Sequence, residues 1–323
     1  MHLPKLVFTS MTALALTLPL FAQQSGSSAL LWADRRNTPA LGLLDGPGGK
    51  TRAPGTDFKF IEESAGGSAP KFIVEDENGV RWKVKLGPEV KSETAATLLI
   101  RAAGYFADED YYRNEIRVKG MKLLSRGKKY ISNGDLVHEA RLERFEHEKK
   151  SKNWSWYEPR MSGTKEFNGL RVMMALINNW DLKVENNSLL VQGDGGQRYS
   201  VSDLGATFGR TGNSFTRSKG KLKDYSQTRF IKKVHPDHVD FVMHSRPFFL
   251  LAVFRPGYYQ TRTKMQSITK NVPIADVRWL ASQLAKLSPD QIRECFSAAG
   301  FSSAEAEGYT KGVMQRIDEL KKI

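Results

Sequence analysis

Two short polar segments joined by a predicted hairpin constrain this chain more than any other feature of its sequence. Asp181, Lys183 and Asn186 stand at the spacing D-x-K-x-x-N, directly after an amphipathic segment that predicts a helix. Two apolar runs flank the glycine-rich turn at 193–196, which predicts a β-hairpin, and Asp203 follows the second run. The hairpin therefore delivers Asp203 at its end, where the four side chains can serve one site.

The first 22 residues have the composition of a secretory signal peptide. Lys5 supplies a positive charge, residues 6–21 are mostly apolar, and Ala22-Gln23 offers a cleavage point. The apolar run of about 16 residues is shorter than the roughly 20 that span a bilayer, although an uncleaved membrane anchor is the alternative. The sequence predicts export to the periplasm or outside the cell, with no transmembrane segment left after signal removal.

The pattern of the mature chain predicts one large domain or two lobes. Residues 23–56 are rich in glycine, proline, serine and alanine, which predicts a flexible N-terminal arm. Strand-like runs then begin at Phe58, Lys71 and Arg81, and a helix follows for which Ser92 is the expected N-cap. The last part of the chain is mostly helical by its periodicity.

Charge and cysteine content bear on the class of partner. The chain has 49 lysine and arginine residues against 35 aspartate and glutamate residues, a formal net charge of +14. This excess suggests an anionic partner such as a nucleotide, a nucleic acid, a lipid headgroup or an acidic polysaccharide. It selects none of them, and no specific nucleic acid is expected. Cys295 is the sole cysteine, which excludes an intramolecular disulfide, and its apolar helix face predicts a core residue.

The D-x-K-x-x-N segment and the later D-L-G at Asp203–Gly205 resemble the catalytic and metal-binding loops of the protein-kinase-like superfamily, whose second motif is usually D-F-G. The order of strands, one helix, more strands, a connector and a helical half is similar to the two-lobed kinase fold. The resemblance implies an α+β fold with an N-lobe at 57–147, built from an antiparallel sheet and one helix. It also implies a mostly helical C-lobe at 148–323.

The resemblance implies a role for each residue of the opening motif. Asp181 would orient the substrate hydroxyl and accept its proton, and Lys183 would neutralise charge on the transferred phosphoryl group. Asn186 would be one metal ligand, with Asn187 as the alternative if the register differs by one. Asp203 would be the second ligand, bridging the β- and γ-phosphates of ATP through Mg²⁺ or Mn²⁺.

The resemblance also implies nucleotide-binding residues among the first three strands. Lys85 lies on the third strand and resembles the lysine that grips the α- and β-phosphates, with Lys83 as the alternative two residues earlier. Glu93 is the candidate for the helix glutamate that pairs with this lysine. Gly66 and Gly67 lie between the first two strands, where the family has its phosphate-covering loop, and small residues there let backbone N–H groups approach phosphates.

Departures from the ordinary protein-kinase pattern indicate an atypical branch. The first hairpin lacks G-x-G-x-x-G, Glu93 follows Lys85 by only eight residues, and no A-P-E follows the D-L-G. The compact V-K-L-G…S-E…G-Y segment is similar to persistence-kinase, spore-coat kinase and secretory-pathway kinase-type proteins. Recognition of a peptide substrate in the usual eukaryotic manner is therefore not expected.

Two other polar clusters have alternative explanations. His235, His238 and Asp240, with Asp237 and His244 close by, have the composition of a metal site, but their spacing matches no helix-borne histidine pattern, and a polar loop is expected. The segment after the D-L-G is strongly basic and predicts either a docking surface for an acidic substrate or a solvated loop. Its cations are Arg217, Lys219, Lys221, Lys223, Arg229, Lys232 and Lys233.

The sequence thus predicts an exported, atypical kinase-like phosphotransferase. It would use ATP with Mg²⁺ or Mn²⁺ and transfer the γ-phosphate to a hydroxyl of a protein, lipid or small molecule. One alternative is a catalytically weak pseudokinase or nucleotide-binding scaffold. The other is a non-enzymatic module that binds an anionic polymer. The oligomeric state is not predicted.

Overall fold

The structure is a computed structural model, and it describes residues 30–34, 43–145, 149–158, 160–191 and 195–323. The predicted signal peptide, part of the predicted arm and the predicted junction between the lobes lie outside these residues. The described chain mixes helices and sheets, in agreement with the α+β expectation. Within these ranges, no helix combines the length and the apolar character that crossing a membrane requires.

The described strands form three sheets. In chain order they are β1 (Phe58–Ser64), β2 (Lys71–Asp76), β3 (Arg81–Lys85), β4 (Phe106–Ala107), β5 (Asp110–Lys119), β6 (Ile131–Ser132), β7 (Leu136–Arg144), β8 (Lys149–Lys152), β9 (Asn187–Val191), β10 (Gln197–Val201), β11 (Ile231–Val234), β12 (His238–Phe241) and β13 (Val272–Pro273). The helices are α1 (Val90–Ala102), α2 (Lys165–Leu176), α3 (Leu222–Gln227), α4 (Leu251–Phe254), α5 (Pro256–Met265), α6 (Ile274–Leu284), α7 (Pro289–Ala298) and α8 (Ser303–Lys321).

The first sheet closes into a ring rather than staying open. Its strands follow one another in the order β1, β2, β3, β7 and β5, and β5 pairs back with β1. That last pairing is parallel, with Phe58 opposite Val118, so the expectation of a purely antiparallel sheet is wrong here. A ring of five strands cannot alternate direction throughout, so at least one of its pairs must be parallel. Buried apolar residues such as Phe72, Trp82 and Leu142 fill the interior.

Helix α1 begins at Val90, so the predicted N-cap at Ser92 is wrong. Glu89 occupies the N-cap position, and Ser92 lies in the first turn. The hydroxyl of Ser92 donates to the carbonyl oxygens of Glu89 and Gly205, each at 3.0 Å. The side chain is thus used for a tertiary contact that ties α1 to the D-L-G segment.

A larger core joins α1 to the C-terminal helices. Leu98 and Leu99 of α1 are fully buried in the same apolar cluster as Phe208, Phe296 and Cys295. The Phe208 and Phe296 rings meet edge to face with centroids 4.9 Å apart, a favourable geometry for aromatic pairs. This packing fixes α1, and any residue on it, relative to the C-terminal half, and it confirms Cys295 as a core residue.

Residues in the described part of the predicted arm, at 30–34 and 43–56, contact the rest of the protein. The Trp32 indole donates to the carbonyl oxygen of Ala103 at 2.8 Å, and its ring contacts that of Trp279 edge-on, with centroids 5.3 Å apart. Arg52 forms an ion pair with Glu109 at 2.7 Å. These contacts hold the partly buried Trp32 side chain against the rest of the protein.

Candidate functional site

Lys85 lies at the centre of a group of opposite charges. At the end of β3, its Nζ is 2.6 Å from Glu89, 2.7 Å from Glu93 and 2.8 Å from Asp203. Glu89 and Glu93 lie at the start of α1, whereas Asp203 follows Lys85 by 118 residues. The fold therefore brings three of the residues singled out from the sequence, Lys85, Glu93 and Asp203, into direct contact.

The charges of this group keep one another ionised. Burial opposes the charge of Lys85, but the carboxylates of Glu93, Asp203 and Glu89 outweigh it and raise the pKa of Lys85. Burial alone would raise the pKa of Asp203, but attraction to Lys85 is stronger and the pKa is lowered. The pKa of Glu89 is lowered against burial in the same way, by Lys85 and Lys219. Lys85, Asp203 and Glu89 are therefore charged at neutral pH.

Two residues that the sequence did not single out complete this group. Glu89 pairs with Lys219 as well, so it links the start of α1 to the basic segment. Arg141 on β7 is buried, pairs with Asp110 at 2.5 Å and lies 3.4 Å from Glu93. Glu89 lies one helical turn before Glu93, and this spacing could have indicated Glu89 from the sequence. No local signal in the sequence marks Arg141.

The β9–β10 hairpin places Asn186 next to Asp203. Asn187 lies opposite Val201 in the antiparallel register. The backbone N–H of Ser202 donates to the carbonyl oxygen of Asn186 at 2.7 Å. Asn186 is therefore tied to the residue that directly precedes Asp203, and the two predicted metal ligands meet at the base of one hairpin.

The two asparagines at the start of the hairpin have different surroundings. Asn187 is buried, and its amide donates to the carbonyl oxygen of Trp154 at 3.0 Å. Asn186 lines the cleft and donates to the carbonyl oxygen of Asp181 at 3.0 Å. Asp203 has a positive φ of 51°, a left-handed conformation that aspartate tolerates better than most residues. The geometry favours Asn186 over Asn187 as the residue that faces a ligand.

Asp181 is bound through both of its carboxylate oxygens. Oδ2 accepts a hydrogen bond from Lys183 at 2.8 Å, and Oδ1 accepts one from Arg262. Arg262 on α5 is only 2 % exposed, and it also donates to the carbonyl oxygens of Trp180 and Ser245 at 3.1 and 3.2 Å. Sequence reasoning missed Arg262, because it lies 81 residues away from Asp181 in a helix without a motif.

A cleft of about 400 Å³ opens beside the charged group. Asn186, Asp203 and Lys83 are among the residues that line it. Lys83 forms an ion pair with Glu143 at 2.6 Å, whereas Lys85 contacts the helix and the D-L-G. Of the two lysines that the sequence left open, the structure thus places Lys85 in the contacts expected of the phosphate-binding lysine.

Gly66 and Gly67 lie in the exposed turn between β1 and β2. Arg126 donates to the carbonyl oxygen of Gly67 at 2.8 Å and to that of Ser68 at 3.2 Å. Neither glycine is among the described residues that line the cleft. Their phosphate-covering role stays a prediction.

The basic segment is partly engaged within the protein. Lys219 pairs with Glu89, and the Arg217 guanidinium lies 4.1 Å from the centroid of the Trp180 ring. Such a cation–π contact orients the guanidinium over the loop that carries Asp181. The segment therefore adjoins the start of α1 and the loop of the D-x-K-x-x-N motif.

No protein-family model and no curated protein match the chain. Among solved structures, it is similar to the Helicobacter pylori proinflammatory kinase CtkA, at 12% identity and a TM-score of 0.47 over 83% of this chain and 97% of that one. It is also similar to the Golgi casein kinase with Mn/ADP bound, at 12% identity and a TM-score of 0.42 over 83% and 73%.

Proposed function

We propose that the protein is an exported, atypical kinase-like phosphotransferase that moves the γ-phosphate of ATP to a substrate hydroxyl. The observation that carries the proposal is the position of Lys85, 2.7 Å from Glu93 and 2.8 Å from Asp203. Kinases require both a lysine paired with a helix glutamate and a metal-binding aspartate at the phosphates. Export rests only on the composition of residues 1–22.

Oxygen donors at and beside the cleft suit a hard divalent cation. Glu89, Glu93 and Asp203 each offer a carboxylate oxygen, and these atoms lie around Lys85 within 4.8 Å of one another. Asn186 adds an amide at the base of the hairpin, and Mg²⁺ and Mn²⁺ favour such oxygen ligands. Asn186 and Asp203 would hold the ion, which would supply positive charge to neutralise the phosphates.

Nucleotide binding would redistribute the contacts of Lys85. Glu93 is buried and backed by Arg141, so its hold on Lys85 persists. The Asp203 side chain is 48% exposed and has room to turn towards the cleft. We expect Lys85 to keep Glu93 and to exchange Asp203 for oxygens of the α- and β-phosphates.

The transfer step would use the residues around Asp181. The substrate hydroxyl oxygen forms a bond to the γ-phosphorus, the bond to the β–γ bridging oxygen breaks, and ADP leaves. Asp181 orients the hydroxyl and takes its proton. Arg262 fixes one carboxylate oxygen, so the other oxygen, now on Lys183, is the one that meets the hydroxyl. Lys183 then moves to the transferred phosphoryl group.

The substrate is a hydroxyl compound of protein, lipid or small-molecule type, and the basic segment favours an acidic one. Arg217 lies over the ring of Trp180, the residue before Asp181, and Lys219 pairs with Glu89 at the start of α1. Cations at this place would attract a negatively charged acceptor by long-range electrostatics. An acidic substrate would therefore bind more weakly as the salt concentration rises.

A nucleotide-binding scaffold of the same type is the second candidate, and one observation favours it. Lys85 is bonded to Asp203, and Asp181 is bonded to both Lys183 and Arg262. Each of these groups must leave a partner before it can act. A module that binds an anionic polymer through the basic segment is the third candidate, and it predicts salt-sensitive binding without a requirement for Mg²⁺–nucleotide.

Thermal unfolding with and without Mg²⁺–ATP, followed by an autophosphorylation assay, tests the proposal. Ligand at 100 times its Kd would stabilise the wild type by about 2.7 kcal/mol. Asp203→Ala should remove this stabilisation, and Asp181→Asn should keep it but stop phosphate transfer. Stabilisation without transfer to the protein or to added acceptors would favour the scaffold. Absence of stabilisation by Mg²⁺–ATP would overturn both candidates.

A further inference from the structure

A second cluster of metal-ligand side chains lies on the hairpin of β11 and β12. His235, His238 and Asp240 each offer one ligand atom, and the three atoms lie within 4.8 Å of one another. The backbone N–H of His235 donates to the carbonyl oxygen of His238 at 2.8 Å, which closes the turn between the strands. None of the three is among the described residues that line the cleft.

Neighbouring groups orient two of the three side chains. His238 Nδ1 lies 2.7 Å from Asp237 Oδ1, and a proton held there leaves the lone pair on Nε2 for a metal. The Asn271 N–H donates to Asp240 Oδ1 at 2.9 Å, and the other oxygen, Oδ2, lies 3.8 Å from His235 Nε2. A carboxylate behind a histidine and a hydrogen bond to a ligating carboxylate are the supports that metal sites use.

The spacing of the ligand atoms is close to what a tetrahedral ion requires. Metal–ligand bonds of about 2.1 Å place neighbouring ligand atoms about 3.4 Å apart. His235 Nε2 and Asp240 Oδ2 are 3.8 Å apart, so a small side-chain movement suffices. The rings of His235 and His238 are stacked, with centroids 4.1 Å apart, so one ring must turn before both nitrogen lone pairs meet at one ion.

The backbone behind the cluster is firmly held, while the side chains stay accessible. Val239 lies opposite Val272 in the pairing of β12 with β13, and both are fully buried. The side chains of His235 and His238 are each 25% exposed, and that of Asp240 is 18% exposed. An ion can therefore reach the cluster and keep one position open to solvent.

We propose that His235, His238 and Asp240 bind a divalent transition metal ion of the zinc class. Two imidazole nitrogens and one carboxylate oxygen would hold the ion, with a fourth position open to water. Nitrogen ligands disfavour Mg²⁺, which takes oxygen ligands, so this site and the cleft take different ions. Because Asn271 supports Asp240, the ion would join the hairpin to the segment that leads into α6.

Calorimetric titration with Zn²⁺ of the whole chain, stripped of metal by a chelator and kept in excess Mg²⁺, tests this site. We expect one Zn²⁺ per chain at high affinity. Replacing both histidines, His235→Gln with His238→Gln, should weaken binding by more than about 100-fold, because two of three ligands are lost. Asp237→Asn removes only the support of His238 and should weaken binding by about 10–100-fold.

Two control variants separate this site from other zinc-binding groups. Asp203→Asn alters the cleft, and His138→Gln removes a histidine that pairs with Glu115 on the first sheet. Both should keep the affinity of the wild type. Zinc affinity within about threefold of the wild type in the double variant or in Asp237→Asn would overturn the proposal, because ligands and supports matter more than that. Loss of zinc binding in Asp203→Asn would overturn it as well. Circular dichroism without metal checks that each variant is folded. If the double variant is unfolded, the result for Asp237→Asn decides the test.

Discussion

The charged groups around Lys85 and around Asp181 differ in how the chain assembles them. Around Lys85, residues from β3, from the start of α1 and from the end of the β9–β10 hairpin meet at ion-pair distance. Around Asp181, the partner Lys183 belongs to the same short loop, and Arg262 alone comes from a distant element. The first group is a product of the tertiary fold, and the second is mainly a local motif with one long-range support.

This difference predicts how strongly substitutions in each group change the stability of the fold. A buried charge that loses its partner costs about 3–5 kcal/mol, whereas an exposed pair contributes roughly 0–1 kcal/mol. Removal of Lys85 would leave Glu93 without its lysine inside the protein, so the fold itself is affected. Removal of the Asp181 carboxylate leaves the buried Arg262 with the carbonyl oxygens of Trp180 and Ser245 as partners, so stability falls together with the chemistry.

Lys85→Met should have the largest effect on both properties. We expect the free energy of unfolding to fall by about 3–5 kcal/mol, because Glu93 and Glu89 lose their shared cation. Urea unfolding measures this change. Lys83→Met is the matched control, since Lys83 pairs with Glu143 at the cleft edge, and it should cost about 1 kcal/mol or less. Equal losses in the two variants would contradict the central place of Lys85.

Asp181→Asn should lower phosphate transfer by about 10²–10⁴-fold, the usual contribution of a positioned general base. The affinity for Mg²⁺–ATP should stay unchanged, since Asp181 does not line the cleft beside Asp203. Single-turnover transfer and nucleotide titration measure the two quantities. The exposed Asp290, which pairs with Arg293, provides the control variant Asp290→Asn. Equal transfer rates in the two variants would argue against the proposed base.

Substitution of Asn187 should mainly lower stability, and substitution of Asn186 should mainly weaken nucleotide binding, both by less than the changes above. Asn187→Ala leaves the carbonyl oxygen of Trp154 without its buried donor and should cost about 1–3 kcal/mol of stability. Asn186→Ala should change stability by less and should weaken Mg²⁺-dependent nucleotide binding. Urea unfolding and titration at several Mg²⁺ concentrations check both. The reverse pattern would move the metal ligand to Asn187.

Acid should lower the free energy of unfolding through the group around Lys85, by less than the substitutions above. Burial alone would raise the pKa of Asp203 and Glu89, but attraction to Lys85 is stronger. The pKa of Asp203 is therefore lowered from 3.8 and that of Glu89 from 4.5. Between the folded pKa and these values the unfolded chain binds more protons, so the stabilisation is complete above about pH 5 and is lost as the pH falls. Urea unfolding at several pH values should show this loss, and Lys85→Met should reduce or reverse it. The same loss in Lys85→Met would contradict the role of the lysine.

Features carried by consecutive residues were accessible from the sequence. The strand run predicted the place of Lys85, and the hairpin pattern predicted the delivery of Asp203, since each depends on local periodicity. The N-cap at Ser92 was wrong, because the helix begins two residues earlier, at Val90, and Ser92 instead contacts Gly205 across the fold. The contact of Trp32 with Trp279 was not predicted, because composition does not show what an aromatic ring will contact.

Long-range partners were not accessible in this way. Arg141 supports the group around Lys85 and Arg262 supports Asp181, yet each is an arginine within an otherwise ordinary strand or helix. Their roles come from elements that meet only in the folded chain. A single sequence contains no record of which distant carboxylate such an arginine will bind.

The most direct test of the central claim is calorimetric titration of the protein with ATP, with and without Mg²⁺, in the wild type and in Asp203→Asn. Asparagine tolerates the positive φ of this position, so the variant should fold with a stability close to that of the wild type. We expect saturable binding that requires Mg²⁺ and is weakened at least about tenfold in Asp203→Asn, since the variant loses a charged metal ligand. Binding that is the same without Mg²⁺, or the same in Asp203→Asn, would contradict the assignment of this cleft as a metal–nucleotide site.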